Sequence, residues 1–295
     1  MNLNGLPKRA ALLAALFFAI NASPISKSAK TQVKTETYSD IIEKAYNLSL
    51  QKDRNQAILI LVNSIKKESK KSAKPNKELV RALEQVSATF YSDKTQQLYE
   101  LGISLKASDP NLAAQKIADA LKMEPDNSLI QLAQIRLQAM QGDCGQAMGT
   151  AKKLKESNPY SEDIDLAVSQ VAVCSGQFEV YLQNRPTAED RQSRNWRQWR
   201  TLEVEYFFKK GLFLKGLEVC QQVQKIDSKF PEVFYWQWKI EVDTKTAPEV
   251  PANKYLSLCK GLSARAQRDY LSEPFLCRRT TEVESFLKKN NNSSL

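Results

Sequence analysis

From Ser39 onward apolar side chains recur at i, i+3 or i+4, and i+7, and no segment sustains the apolar–polar alternation of a half-buried strand. The first spacing lines up on one face of a 3.6-residue helix and the second on one face of a strand, so the chain reads as all-α apart from its tails. Punctuation between the periodic stretches keeps the helices short. Ser108, Asp109 and Pro110 read as a cap followed by a first-turn proline. Pro125-Asp126-Asn127-Ser128 separates one pair of helices and Asn158-Pro159-Tyr160-Ser161 another, and Glu162 and Asp163 suit the positive start of the helix that follows. Gly142 and Gly176 fall where a helix must stop and turn tightly. The expected architecture is a succession of helical hairpins.

Those markers recur. Pro125 and Pro159 are 34 residues apart, and so are Ile130 and Ile164, Ala133 and Ala167, Leu137 and Val171, and Gly142 and Gly176. Five positions that share one period, each with a turn or core role, mark a helical repeat. At these residues the chain resembles the tetratricopeptide repeat (TPR) family. Leu98-x2-Leu101-Gly102-x2-Leu105 with Ala114 and Ala118 follows that family's pattern, Pro125 being displaced by one residue. The next unit keeps Gly142, Ala147, Ala151 and Pro159 but slips its first helix by one, to Ile130, Ala133 and Leu137; an earlier unit fits through Ile41, Ala45, Leu48, Ala57 and Leu61. A third keeps Gly176 and Phe178, has Tyr181 where a small residue is expected, and is cut short by Pro186. The resemblance covers about residues 38–245 and is strongest over 94–178. It implies a TPR-like α-solenoid of stacked hairpins with a degenerate C-terminal half, whose first helices line a concave side that receives peptides or partner helices.

On this reading residues 39–65 form an N-terminal hairpin, 79–186 the TPR-like repeats, 187–245 degenerate repeats and 246–289 a helical cap. Within the degenerate repeats, Ala188–Lys210 reads as one long helix, Leu212–Ile226 as its partner and Phe230–Asp243 as the next. The segment 66–78, with six lysines and a proline, reads as a solvated linker, a contact for anionic surfaces being the alternative. Residues 290–295 read as a disordered tail.

The N-terminus changes the compartment. Lys8 and Arg9, an apolar run from Ala10 to Ile20 and small residues near Ala22 make a secretory signal peptide over residues 1–22. The run is shorter than the roughly 20 residues a bilayer span needs, and no later stretch is long enough. Residues 23–38 are polar and aperiodic, a disordered lead-in. Loss of Lys8 and Arg9 lowers the formal charge from +10 to +8. An exported basic protein meets anionic lipids, envelope glycans and acidic proteins, so nucleic acid is not an expected partner. A bacterial periplasm is the expected location, secretion beyond the cell its rival.

Five cysteines then read as a disulfide framework. In a stack of hairpins Cys144 starts the second helix of one unit and Cys174 ends the first helix of the next, on one edge, where a bridge is reasonable. Cys259 and Cys277 form the second expected pair, one assignment among fifteen ways of making two pairs. Cys220, in LEVCQQV, reads as a small buried hydrophobe, with a reactive or interchain thiol as the alternative.

Little here points to chemistry. Histidine is absent, which excludes Ser-His-Asp and Cys-His catalysis and histidine zinc sites. With no CxxC, no metal site is expected; GDCGQAMG (142–149) has neither a preceding strand nor GK[ST], so no phosphate or other cofactor is expected either. The clusters Glu162/Asp163/Asp165 and Glu203/Glu205 are explained by caps and solvated helix faces. Trp196, Trp199 and Tyr206 beside Arg191, Arg194 and Arg197 read as core aromatics next to snorkelling arginines rather than a base-stacking surface, and Trp236 and Trp238 as packing residues. The candidate binding residues are Gln131, Gln134 and Gln138, a polar stripe whose amides both donate and accept, although Asp165, Val168 and Ala172 stand at the neighbouring unit's equivalents. The expected function is that of an exported, non-enzymatic scaffold or adaptor that binds a protein or peptide in the cell envelope. An assembly factor that uses whole faces is the alternative, and a carboxylate-dependent glycan-cleaving enzyme a more distant one.

Overall fold

The computed structural model describes residues 36–70, 75–106, 108–186, 193, 195–262 and 276–293. The expected signal peptide and all but the end of the lead-in lie outside them. Fourteen helices and no strand occur among the described residues: α1 (Tyr38–Leu50), α2 (Arg54–Ser69), α3 (Lys77–Ala88), α4 (Asp93–Leu105), α5 (Pro110–Met123), α6 (Ser128–Met140), α7 (Cys144–Ser157), α8 (Glu162–Cys174), α9 (Phe178–Asn184), α10 (Trp196–Lys209), α11 (Phe213–Ile226), α12 (Pro231–Thr244), α13 (Glu249–Lys260) and α14 (Thr280–Ser293). Helix starts follow local chemistry. Thr37 and Asp40 exchange the reciprocal bonds of a capping box, so the end of the expected disordered lead-in is the ordered cap of α1. Asp53, Asp109 and Asp143 each accept from a first-turn N–H of α2, α5 and α7.

The helices pack as an all-α solenoid in which α1, α3, α6, α8, α10 and α12 form one row, each touching the next. Helices α2, α5, α7, α11 and α13 back that row. One turn ends most of the row's members. At Lys52, Gly142, Gly176, Gly211 and Lys245 φ lies between 53° and 85°. Each of these N–H groups donates to the carbonyl three residues back, and the following N–H to the carbonyl five back. This is the Schellman arrangement, which satisfies the orphan carbonyls of a helix end. The last four positions are 34, 35 and 34 residues apart, so the repeat geometry continues through the half in which its side-chain signature has faded. Lys245 is the non-glycine among those four and carries the left-handed penalty of a β-carbon. Lys245→Gly is expected to raise the unfolding free energy by about 0.5–1 kcal/mol in urea titrations, and an unchanged midpoint counts against that account.

The join between α3 and α4 departs from regular stacking. The row contact onto α6 comes from α3, through the buried Ser128 Oγ–Ser87 Oγ bond of 3.0 Å, while α4 packs chiefly on α5. There Gly102 lets the two helices close up, since a β-carbon would lie 2.8 Å from Ile117. In the unit with the best pattern match, Leu98 to Ala118, α5 thus backs α6 while α4 stands outside the row. Helices α1–α3 have their own core of Ile41, Ala45, Leu61, Ile65, Leu79 and Val86. That block is tied to the α5–α6 turn by Arg54, which is fully buried. Its Nη2 donates to Glu124 Oε2 (2.7 Å) and to Thr89 O (2.5 Å), its Nη1 to Asp126, and the Tyr91 ring lies 4.2 Å from the guanidinium.

Several sequence boundaries move. Lys66 and Lys67 belong to the last turn of α2, where cations suit the negative helix end, and Lys77 opens α3, so the solvated linker is shorter than 66–78. Residues 71–74 lie outside the described ones. Helix α10 starts at Trp196 after Asn195, not at Ala188; residues 187–192 and 194 also lie outside the described ones. The expected tail is helical as far as Ser293, because Val283 and Phe286 anchor α14 on the C-terminal core. Trp199 is buried as expected of the aromatic stripe, Tyr206 is partly buried beside it, and Trp196 packs on the C-terminal cluster.

Candidate functional site

A narrow cleft crosses the row helices and holds about 660 Å³ of empty space, some of it open to solvent. Its walls come from four successive members of the row: Arg136 on α6, Gln170 on α8, Gln198, Thr201 and Glu205 on α10, and Glu232 and Trp236 on α12, over a floor that includes Ala167, Val171 and Leu202. The cleft thus draws its walls from four successive members of the row. The lining obeys the repeat. Arg136, Gln170 and Glu205 are 34 and 35 residues apart, and Ala167, Leu202 and Trp236 are 35 and 34 apart. The first set changes from cation to amide to carboxylate along the row and gives the cleft a polarity. Glu205 is paired with Lys209 at 3.3 Å, and Lys209 also donates to Val173 O at 3.0 Å.

The C-terminal segment closes one end. Cys277 is bridged to Cys259 on α13, Cα–Cα 5.5 Å. From there residues 276–279 run against α12. Glu232 Oε1 accepts from the Cys277 N–H at 2.7 Å and Oε2 from Arg279 Nη1 at 3.3 Å, while the Arg279 N–H donates to the Tyr255 hydroxyl at 3.3 Å. The Arg279 guanidinium lies 4.3 Å from the Tyr235 ring centroid and 5.3 Å from that of Trp236. Arg278 reaches the far side, donating to the Lys106 carbonyl at the end of α4 and to Met140 Sδ at the end of α6 (2.9 Å).

Glu232 is fully buried at the start of α12. Burial raises its pKa to about 7, against the opposing pull of the Arg279 charge and the Cys277 N–H. A folded-state value above the ordinary 4.5 means that the native state holds this proton more tightly than the unfolded chain. The resulting stabilisation is whole below about pH 4.5 and disappears as pH rises through about 7. In Glu232→Gln, which keeps an acceptor and cannot ionise, the fall in stability between pH 5 and pH 8 is expected to flatten. Urea titrations at both pH values check this, and parallel slopes for variant and wild type refute it.

The glutamine stripe lies elsewhere. Position 136 and its neighbours Ile135 and Ala139 turn α6 toward the cleft, and Gln131, Gln134 and Gln138 are displaced around the helix from that face. Gln131 donates to the Pro125 carbonyl at 2.7 Å and faces a second, shallower cleft of about 1050 Å³ between α2 and the ends of α5 and α7. Gln134 is half-buried, and Gln138 keeps Oε1 buried without a hydrogen-bond partner. Asp165, at the position equivalent to Gln131, is paired with Lys155 on α7. The signal that finds the cleft lining is the repeat step applied to position 136: 34 residues lead to Gln170, and a step of 35 from there, the same as between Gly176 and Gly211, leads to Glu205.

Cys144 and Cys174 are bridged with Cα–Cα 5.9 Å, joining the first residue of α7 to the last of α8. Cys220 is the free cysteine, packed with Val204, Val219 and Phe230, and burial pushes its thiol up to about 12. Among the described residues no group of three or more Cys, Asp or Glu side chains is placed to hold a metal ion, and no helix is long and apolar enough to cross a membrane. No protein-family model matches the chain, and no curated protein matches it; what architecture alone assigns is an all-α helical-repeat solenoid.

Proposed function

We propose that this protein is an exported, TPR-like adaptor that binds an extended segment of a protein partner along the cleft. The observation that carries this reading is the construction of the cleft. Successive row helices offer equivalent positions, Arg136, Gln170 and Glu205, at the interval of the repeat, which suits a ligand that itself runs across the repeats. The apolar floor and the polar walls divide as peptide recognition requires, with burial for side chains and hydrogen bonds for the backbone. Two disulfides support an oxidising compartment outside the cytosol, together with the leader read from residues 1–22.

Glu205 and Glu232 in one cleft invite comparison with the paired carboxylates of a glycan-cleaving enzyme, one of them with a raised pKa. A general acid must present an oxygen to substrate, and both oxygens of Glu232 are engaged by residues 277–279. The binding reading is therefore favoured. It is tested by titrating the full chain against a panel of fluorescent peptides of varied charge. Binding of at least one class is expected, with a more than tenfold loss in Gln170→Trp at unchanged melting temperature. If no peptide binds, or if filling the cleft at Gln170 leaves binding intact, the proposal fails.

A further inference from the structure

We infer that the α10–α12 end of the cleft is a receptor for an arginine-bearing segment of the partner, and that residues 276–279 of this chain occupy it as an internal stand-in. The inference rests on the cleft being the peptide site and adds the chemistry of its ligand. The structure already contains one short segment seated there, and its contacts show what the walls accept. A fully buried carboxylate, Glu232, takes both a backbone N–H and a guanidinium from that segment. Two aromatic rings, Tyr235 and Trp236, flank the same guanidinium, a combination that suits the planar, weakly hydrated arginine head better than a lysine ammonium. The preceding residue, Arg278, finds acceptors on the opposite side at Lys106 O and Met140 Sδ, so two consecutive arginines are read by groups from different regions of the fold.

Charge supports the same conclusion. With Arg279 in place, the cleft lining carries two guanidinia, Arg136 and Arg279, against two carboxylates, Glu205 and Glu232. Without the internal segment the lining loses one of its two guanidinia, and the buried Glu232 loses both of its donors. An acidic ligand would meet those carboxylates directly, whereas an arginine replaces what is removed. The internal segment is attached to the fold by the Cys259–Cys277 bridge, which holds it at high effective concentration. A partner must therefore outcompete it, and it acts as a built-in brake on binding.

The test uses a labelled peptide with the sequence Leu-Ser-Arg-Arg-Thr-Thr, residues 276–281 with serine in place of Cys277, and follows anisotropy against the full chain. The double variant Arg278→Ala/Arg279→Ala is expected to bind it at least tenfold more tightly than wild type does. The same peptide with alanine or glutamate in place of both arginines is expected not to bind. Should that variant fail to fold by circular dichroism, Cys259→Ser/Cys277→Ser, which loosens the segment without removing its arginines, is expected to bind more tightly than wild type in its place. Equal affinity of variant and wild type, or a preference for the glutamate peptide, overturns the inference. If peptides bind the cleft without regard to arginine, the inference alone falls; if no peptide of any charge binds either form, the proposed function falls with it.

Discussion

Replacing Arg54 with methionine is expected to lower the unfolding free energy by about 3–5 kcal/mol at neutral pH, the penalty for stripping one partner from a buried ion pair. For a chain of this size the melting temperature drops by on the order of 10 °C. Arg54 sits between two cores. On one side are the N-terminal helices α1–α3; on the other the α5–α6 turn supplies Glu124, Asp126 and Asn127. Without the guanidinium, Glu124 is left 5% exposed with its charge and Thr89 O loses its 2.5 Å donor. The pH dependence separates this account from simple loss of packing. Burial pushes the Glu124 carboxyl up, but hydrogen bonds from Arg54, the Tyr91 N–H and Asn127, with the Arg54 charge, outweigh it and leave its pKa below the usual 4.5. A lowered folded-state pKa contributes stability above the unfolded value, and that contribution is lost as pH falls through the folded one. In Arg54→Met only the Tyr91 N–H and Asn127 remain to oppose burial, so Glu124 binds its proton more readily than in wild type. Wild type therefore loses more stability on acidification than the variant does. The gap between them narrows below about pH 4.5, and adding Glu124→Gln to the variant restores some of the loss at neutral pH. Chemical denaturation at pH 7 and pH 4 measures both effects. A gap that does not change with pH refutes the electrostatic account.

The second large effect is expected at the Cys144–Cys174 bridge. It closes a loop with a sequence separation of 30 between the start of α7 and the end of α8. Removing it as Cys144→Ala/Cys174→Ala frees that loop in the unfolded chain, which by the loop-entropy argument corresponds to about 3–4 kcal/mol. The folded repeat is held independently by Ala147, Ala151, Leu154, Ile164 and Val171, so the variant is expected to keep its helical circular dichroism and to lose denaturant midpoint. A loss under about 1 kcal/mol would show that the α7–α8 pairing persists in the unfolded ensemble. Thiol titration gives an internal control: the native wild type should react at no cysteine, and the denatured, unreduced protein at Cys220 alone.

Much of the repeat was legible because its signals are local. Gly142 and Gly176 announce left-handed turns, Asp109 and Pro110 announce a helix start, and the period of 34 links them. In the C-terminal half the same turn persists at Gly211 and at Lys245, and the second is invisible to composition because lysine has no preference for that conformation. The Cys144–Cys174 pair followed from helix order, since residues at the start of one helix and the end of the next meet on one edge of a stack.

The sequence by itself determined an all-α chain of short hairpins, their approximate boundaries and the residues that face inward, because helical periodicity and caps depend on neighbours a few positions away. Three-dimensional packing alone decided that α3, not α4, continues the row onto α6, that Arg54 joins two cores across 70 residues to Glu124, and that Arg279 enters a cleft lined by α6, α8, α10 and α12. It also decided that Arg136, rather than the glutamine stripe on the same helix, faces that cleft. Those outcomes depend on which helices meet and at what angles they cross, a quantity no short stretch of residues encodes.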